Sequence, residues 1–268
     1  MAEVTFAAEE TDEAKPTMIH QSTMMTVKEL CLELEFGTEQ SQEDAAAIAM
    51  DMAMDGEWSK ELGDHHAVMF LVQILKLPRG DDCKQWAAGA LSTLSYRAEN
   101  AAELIKRGGV DLLVDLLRNK GSDGRKGYGA WALATLASVD DDHRKAVAAA
   151  GTIGAVVQLL QAADVGESAK RYACSTVWNL CPDADLRKKV VEAGAVEALA
   201  PLAASAADEG CREWAKIALD AVGWKSKEVQ ERCAAARRGL VGEEPDNKRE
   251  VDADGSPAPI MGAFGEVW

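Results

Sequence analysis

Three segments of this chain recur at a fixed interval, and the interval limits the available folds more than any other feature. They read RGGVDLLVDLL (Arg107 to Leu117), AGTIGAVVQLL (Ala150 to Leu160) and AGAVEALAPLA (Ala193 to Ala203). Their glycines Gly108, Gly151 and Gly194 stand 43 residues apart each time. A fainter copy, HAVMFLVQIL (His66 to Leu75), lies about one period earlier. A period of roughly 40–47 residues with two or three helices per unit is the signature of a stacked helical solenoid. One such unit cannot bury its apolar stripe alone and must stack on its neighbours.

Each unit divides into three helices. A short segment precedes each glycine: NAAELIKRGG, DHRKAVAAAG and DLRKKVVEAG. Asn100, Asp142 and Asp185 open these segments and are expected to be N-caps, because their side chains accept from the free first-turn amides. The glycine then ends the short helix, where the chain can turn through positive φ at little steric cost. The apolar second helix follows. Next comes a polar break (RNKGSDG, AADVGES or AASAADEG) and a third helix.

The third helix has four copies: QWAAGALSTLS, GYGAWALATLA, RYACSTVWNLC and EWAKIALDAVG. At about 100° per residue, Ala87, Leu91 and Leu94 share one stripe, which is expected to face the core. Trp86 lies about 140° away from that stripe. Its counterparts are Tyr128, Tyr172 and Trp214. Two further columns fall on the same side: Gly89, Trp131, Ser175 and Ile217, and then Thr93, Thr135, Asn179 and Ala221. The geometry predicts a surface that repeats from unit to unit. Packing between neighbouring third helices is the other role open to these rings.

The three-helix unit, the GGVDLLVDLL segment and the AAGALSTLS helix resemble armadillo repeats over residues 61–224, as four units. The resemblance implies an all-α fold, a right-handed α-solenoid of three-helix repeats with helical caps and flexible acidic termini. Residues 27–60 read as a degenerate N-terminal repeat or cap, and 225–240 as a C-terminal capping helix. Residues 1–26 read as a flexible acidic N-terminus, and 241–268 as an acidic, disordered tail with an apolar end. In the armadillo family the third helices line a concave groove that holds extended peptides. The resemblance therefore assigns a partner-binding groove to Trp86, Thr93, Tyr128, Trp131, Thr135, Tyr172, Ser175, Asn179, Trp214 and Ile217. Nuclear-import adaptors resembling importin-alpha pair a Trp with an Asn four residues later. Here Trp131 is followed by Thr135, and Asn179 is preceded by Ser175, so no unit holds both. No U-box or F-box segment is visible either.

Charge narrows the partners. The net charge is −16, and it sits at the ends. Residues 1–60 carry −11 and 241–268 carry −5, while 61–240 balance to zero. A body without a basic face or a basic total is not expected to bind nucleic acid. The ten groove residues are aromatic or neutral, so a ligand anchored by apolar or Arg side chains is expected. No apolar run is long enough to span a bilayer, and no leader pattern opens the chain. The six cysteines form no CxxC pair, and no His stands at zinc-ligand spacing, so they read as buried small hydrophobes of a reducing compartment.

No nucleophile–base pair, phosphate loop or metal motif stands out. His65 and His66 have no third ligand nearby and read as a helix-start pair. DDDHRK (Asp140 to Lys145) reads as helix capping rather than a metal site. The expected protein is thus a non-catalytic scaffold or adaptor of the cytoplasm, with the nucleus also open, without cofactor or metal. It would hold an extended segment of another protein. The alternative is a structural or assembly subunit held by a permanent interface. The apolar stretch Ile260 to Trp268 adds a candidate docking segment at the tail.

Overall fold

The computed structural model describes residues 17–19, 23–223 and 227–238. Most of the acidic N-terminus and the whole tail, Ile260 to Trp268 included, lie outside the described residues. The molecule is a right-handed α-solenoid. Its N-terminal unit has two helices, α1 (Val27–Phe36) and α2 (Glu39–Met52). Four three-helix units follow: α3 (Gly56–Asp64), α4 (Ala67–Lys76) and α5 (Asp81–Leu94); α6 (Ala98–Lys106), α7 (Gly109–Arg118) and α8 (Asp123–Val139). Then come α9 (Asp141–Ala149), α10 (Thr152–Gln161) and α11 (Glu167–Leu180), and finally α12 (Ala184–Glu192), α13 (Ala195–Ser205) and α14 (Glu209–Gly223). Helix α15 (Lys227–Arg238) packs on α13 and α14. The sequence did not foretell one feature, a short antiparallel pair of strands, β1 (Thr17–Ile19) and β2 (Thr23–Met25), with Met18 opposite Met24.

The turn between first and second helices is the same in every three-helix unit. Gly108, Gly151 and Gly194 have φ of 72°, 79° and 89°. In the first of these units the position belongs to His66, at φ 64°. A β-carbon makes that conformation unfavourable by roughly 1–2 kcal/mol, so the packing of α3 and α4 holds His66 where glycine would sit without strain.

The caps fall elsewhere than the sequence suggested. Asp140 accepts from the His143 amide, and Asp183 accepts from those of Asp185 and Leu186. Asp142 and Asp185 are inside the first turn, where their charge favours the helix dipole. Asn100 is not a cap either, since α6 starts at Ala98. It is buried, and its Nδ2 donates to the carbonyls of Ser59 (3.2 Å) and Leu94 (3.1 Å), tying α6 to the unit before it.

The third helices form the inner layer, each packed against the next, and α2 belongs to that layer. Their core stripe is fully buried at Ala87, Leu91 and Leu94, and again at Leu133, Leu136, Leu180 and Leu219. A ladder of carboxylates sets the register. The first residue of each third helix, from α2 to α11, is acidic and accepts the amide that precedes the next third helix. Gly80 N–H donates to Glu39 Oε1 (2.5 Å) and Ser122 N–H to Asp81 Oδ2 (2.6 Å). Gly166 N–H donates to Asp123 Oδ2 (2.9 Å) and Asp208 N–H to Glu167 Oε2 (2.5 Å). The acid favours its own helix N-terminus and occupies an amide of the next. The buried Arg125 reinforces one rung, its Nη1 donating to Asp81 Oδ1 at 2.6 Å.

The described cysteines Cys31, Cys83, Cys174, Cys181 and Cys211 are free and buried; the side chain of Cys233 is outside the described set. Burial, aided by nearby Glu61, pushes the Cys31 thiol up to about 12.

Candidate functional site

The concave face is built from the solvent side of the third helices, where the columns counted from the sequence come together. Four rings form an unbroken row across three helices. Trp86 of α5 meets Tyr128 of α8 at 5.8 Å between centroids, and Tyr128 meets Trp131 on its own helix at 5.9 Å. Trp131 then stacks on Tyr172 of α11 at 5.7 Å and 21°. All four are half-buried, so each ring gives one part of its surface to its neighbours and keeps the rest open. Offset aromatic contacts of this kind contribute about 0.5–1.5 kcal/mol each beyond the area they bury. The guanidinium of Arg171 lies over the outer end of the row, 5.1 Å from the centroid of Tyr172.

Close approach of the helices makes the row continuous. A β-carbon on Gly89 would come within 2.6 Å of Met50 Sδ and 3.2 Å of Tyr128 Cδ1. Glycine there lets Tyr128 reach across to Trp86.

The other predicted groove residues divide. Ser175 and Ile217 are half-buried on the same face. Thr93, Thr135, Asn179 and Trp214 are buried. The Thr93 hydroxyl donates to the Ala90 carbonyl of its own helix at 3.1 Å. Asn179 Nδ2 donates to the Ala134 carbonyl at 3.0 Å, and Thr176 Oγ1 reaches the Ala130 carbonyl at 3.0 Å. Both bonds join α11 to α8, so these side chains fasten one repeat to the next. Trp214 is only 8% exposed. Its ring meets Trp178 edge-on at 6.0 Å, and Trp178 stands where the two preceding units have Ser92 and Ala134. The large side chain in that column covers Trp214.

The sequence reading placed a degenerate repeat or cap at residues 27–60 but assigned none of its residues to the inner face, to which α2 belongs. The contact of Glu39 with Gly80 aligns α2 with α5 as Asp81 aligns α5 with α8. In that register DAAAIAMDM (Asp44 to Met52) lies over WAAGALSTL (Trp86 to Leu94). Asp44 takes the aromatic column and Asp51 the Thr/Asn column, and both are exposed. The face formed by the third helices and α2 therefore carries exposed carboxylates at its N-terminal end, beside the uncharged columns read from the sequence. The pattern of small residues after Asp44 was the available signal. Charge is felt nearby: burial first, then Tyr172 and Asp51, push the Tyr128 phenol above its ordinary value. Burial, Asp82, Asp44 and Glu39 likewise push the Glu43 carboxyl up.

Among the described residues, no cluster of three or more His, Cys, Asp or Glu side chains is placed to hold a metal ion. No described helix is long and apolar enough to cross a membrane. His143 is held by Asp140, its Nδ1 being 2.7 Å from the capping oxygen, so the DDDHRK segment is a helix start.

Residues 140–181 match the model of the armadillo/beta-catenin-like repeat. No curated protein sequence matches the chain. Among solved structures, an engineered protein from a structural genomics consortium is 27% identical, with TM-score 0.68 over 73% of this chain and 80% of that one. Computationally designed armadillo repeat proteins for modular peptide recognition are 22% identical, with TM-score 0.68 over 78% of this chain and 87% of theirs. A designed armadillo repeat protein in complex with the peptide (KR)4 is 22% identical, with TM-score 0.69 over 80% and 89%. At 22% identity, these last two likenesses concern the fold alone.

Proposed function

Taking the chain as an armadillo-repeat solenoid, we propose that it is a non-catalytic scaffold that holds an extended segment of a partner protein along its concave face. The observation that carries this reading is the unbroken row Trp86–Tyr128–Trp131–Tyr172, half-open along three successive third helices. Aromatic faces offer large contact area at low entropy cost, and they attract cations and aliphatic stems. Asp44 and Asp51 stand at the N-terminal end of the row. The segment that fits is one with aliphatic or arginine side chains on the rings and a basic side chain over α2. A designed armadillo repeat protein of similar fold forms a complex with the basic peptide (KR)4, which supports this reading.

Panning a library of random unstructured peptides against the full chain tests the reading. Enrichment of peptides rich in Arg or Lys is expected. Binding should vanish in a folded Trp86→Ala, Tyr128→Ala, Trp131→Ala, Tyr172→Ala variant. Asp44→Asn with Asp51→Asn should relax the preference for a basic residue at one end. Peptides that bind the ring variant as well as the wild type would move the site elsewhere.

A further inference from the structure

A second surface, independent of the groove, lies at the N-terminal end of the solenoid. Helix α1 corresponds residue by residue to the second helices α4, α7, α10 and α13. Leu32 then falls in one column with Val72, Val114, Val157 and Ala200. Those four are 1%, 1%, 4% and 3% exposed, whereas Leu32 is 48% exposed. Lys28 shares a column with Val68, Val110, Ile153 and Val196, and Glu35 with Leu75, Leu117, Leu160 and Ala203. The counterparts of both are buried or half-buried, and Lys28 and Glu35 are exposed. Lys28, Leu32 and Glu35 thus form the stripe that joins units elsewhere. It is open on α1 because, among the described residues, α1 has neither a first helix of its own nor a preceding unit. Phe36, one turn beyond Leu32 and 75% exposed, extends the patch.

We propose that a second copy of this chain docks head to head on this stripe, with the two α1 helices antiparallel about a two-fold axis at Leu32. The order of charge along α1 carries the choice of occupant. Lys28 lies about 6 Å before Leu32 along the axis and Glu35 about 4.5 Å after it. In an antiparallel pair each Lys28 comes level with the partner's Glu35, and each Leu32 meets the partner's Leu32. The ammonium also reaches the partner's Phe36 ring, a favourable cation–π position. Two reciprocal ion pairs around an apolar centre make the stripe complementary to itself, as a two-fold interface requires.

Sedimentation equilibrium of the full chain decides the matter. The weight-average mass should rise from 28.6 kDa towards twice that value between micromolar and hundreds of micromolar protein. Leu32→Asp should leave a folded monomer, with folding checked by circular dichroism. Lys28→Glu and Glu35→Lys should each weaken the dimer roughly tenfold. The double swap Lys28→Glu, Glu35→Lys should repair much of that loss, because it reverses both reciprocal pairs and forfeits only the ammonium's contact with the partner's Phe36. A wild-type chain that stays monomeric throughout would overturn the proposal. So would a dimer that Leu32→Asp leaves intact, or single-swap defects that the double swap does not repair.

Discussion

The two ends of the concave face use one sequence column in opposite ways. From α5 to α11 the column holds Trp86, Tyr128 and Tyr172, half-open rings joined by Trp131. On α14 the same column holds Trp214, which is buried beneath Trp178. A column fixes direction on a helix, but the neighbouring helix decides whether a ring in that direction meets solvent. Small residues at Ser92 and Ala134 leave the first rings open, and an indole at position 178 closes the last.

The largest test of that contrast is truncation at both ends. Trp214→Ala should lower unfolding free energy in urea by about 3–5 kcal/mol, as expected for a buried indole. Trp86→Ala should lower it by only about 1 kcal/mol, the scale of one aromatic contact. Equal losses would collapse the distinction. Next in size is Gly89→Val, which forces side-chain atoms against Met50 and Tyr128 and should destabilise by about 1–3 kcal/mol. Adding Met50→Ala should recover part of that loss, since Met50 Sδ is the nearest atom.

A smaller effect is readable by pH. The Tyr128 phenol is held above its ordinary value, so the folded state keeps the proton longer than the unfolded chain does. Its contribution is full below about pH 10 and is lost as pH climbs through the folded phenol's range. Ultraviolet titration should show one tyrosine ionising late, and Asp51→Asn should bring it partly back. The change should be partial, because burial and Tyr172 rank ahead of Asp51 as causes. Smallest of all is Glu43→Gln. The wild-type carboxyl is pushed up, so its favourable form is present in acid and lost as pH rises through the carboxylate range. The variant should be slightly more stable than wild type near neutrality, and the gain should fade in acid. A constant gain at all pH values would assign the effect to packing.

Much of the fold was legible because it rests on local rules repeated at a fixed spacing. Gly108, Gly151 and Gly194 announce their turns through backbone freedom, and the leucine stripes announce the core. His66 could be placed only through the period, since its own chemistry does not favour a left-handed turn. Asn100 misled because Asn near a helix start usually caps, whereas here contacts from the preceding unit draw it inward. Asp44 and Asp51 were missed because the columns were searched for rings and amides. The burial of Trp214 depends on a neighbouring helix and cannot be seen from its own repeat.

The carboxylate ladder gives the molecule a modular grammar. Each of the three units that end in α5, α8 and α11 brings one acceptor for the unit after it and one donor for the unit before it. A whole unit duplicated in the middle would arrive with both halves of its joint, so the solenoid can lengthen without redesign. A unit cut part-way would leave an orphan carboxylate on one side and an orphan amide on the other. The chain should therefore tolerate changes counted in entire repeats far better than insertions of arbitrary length.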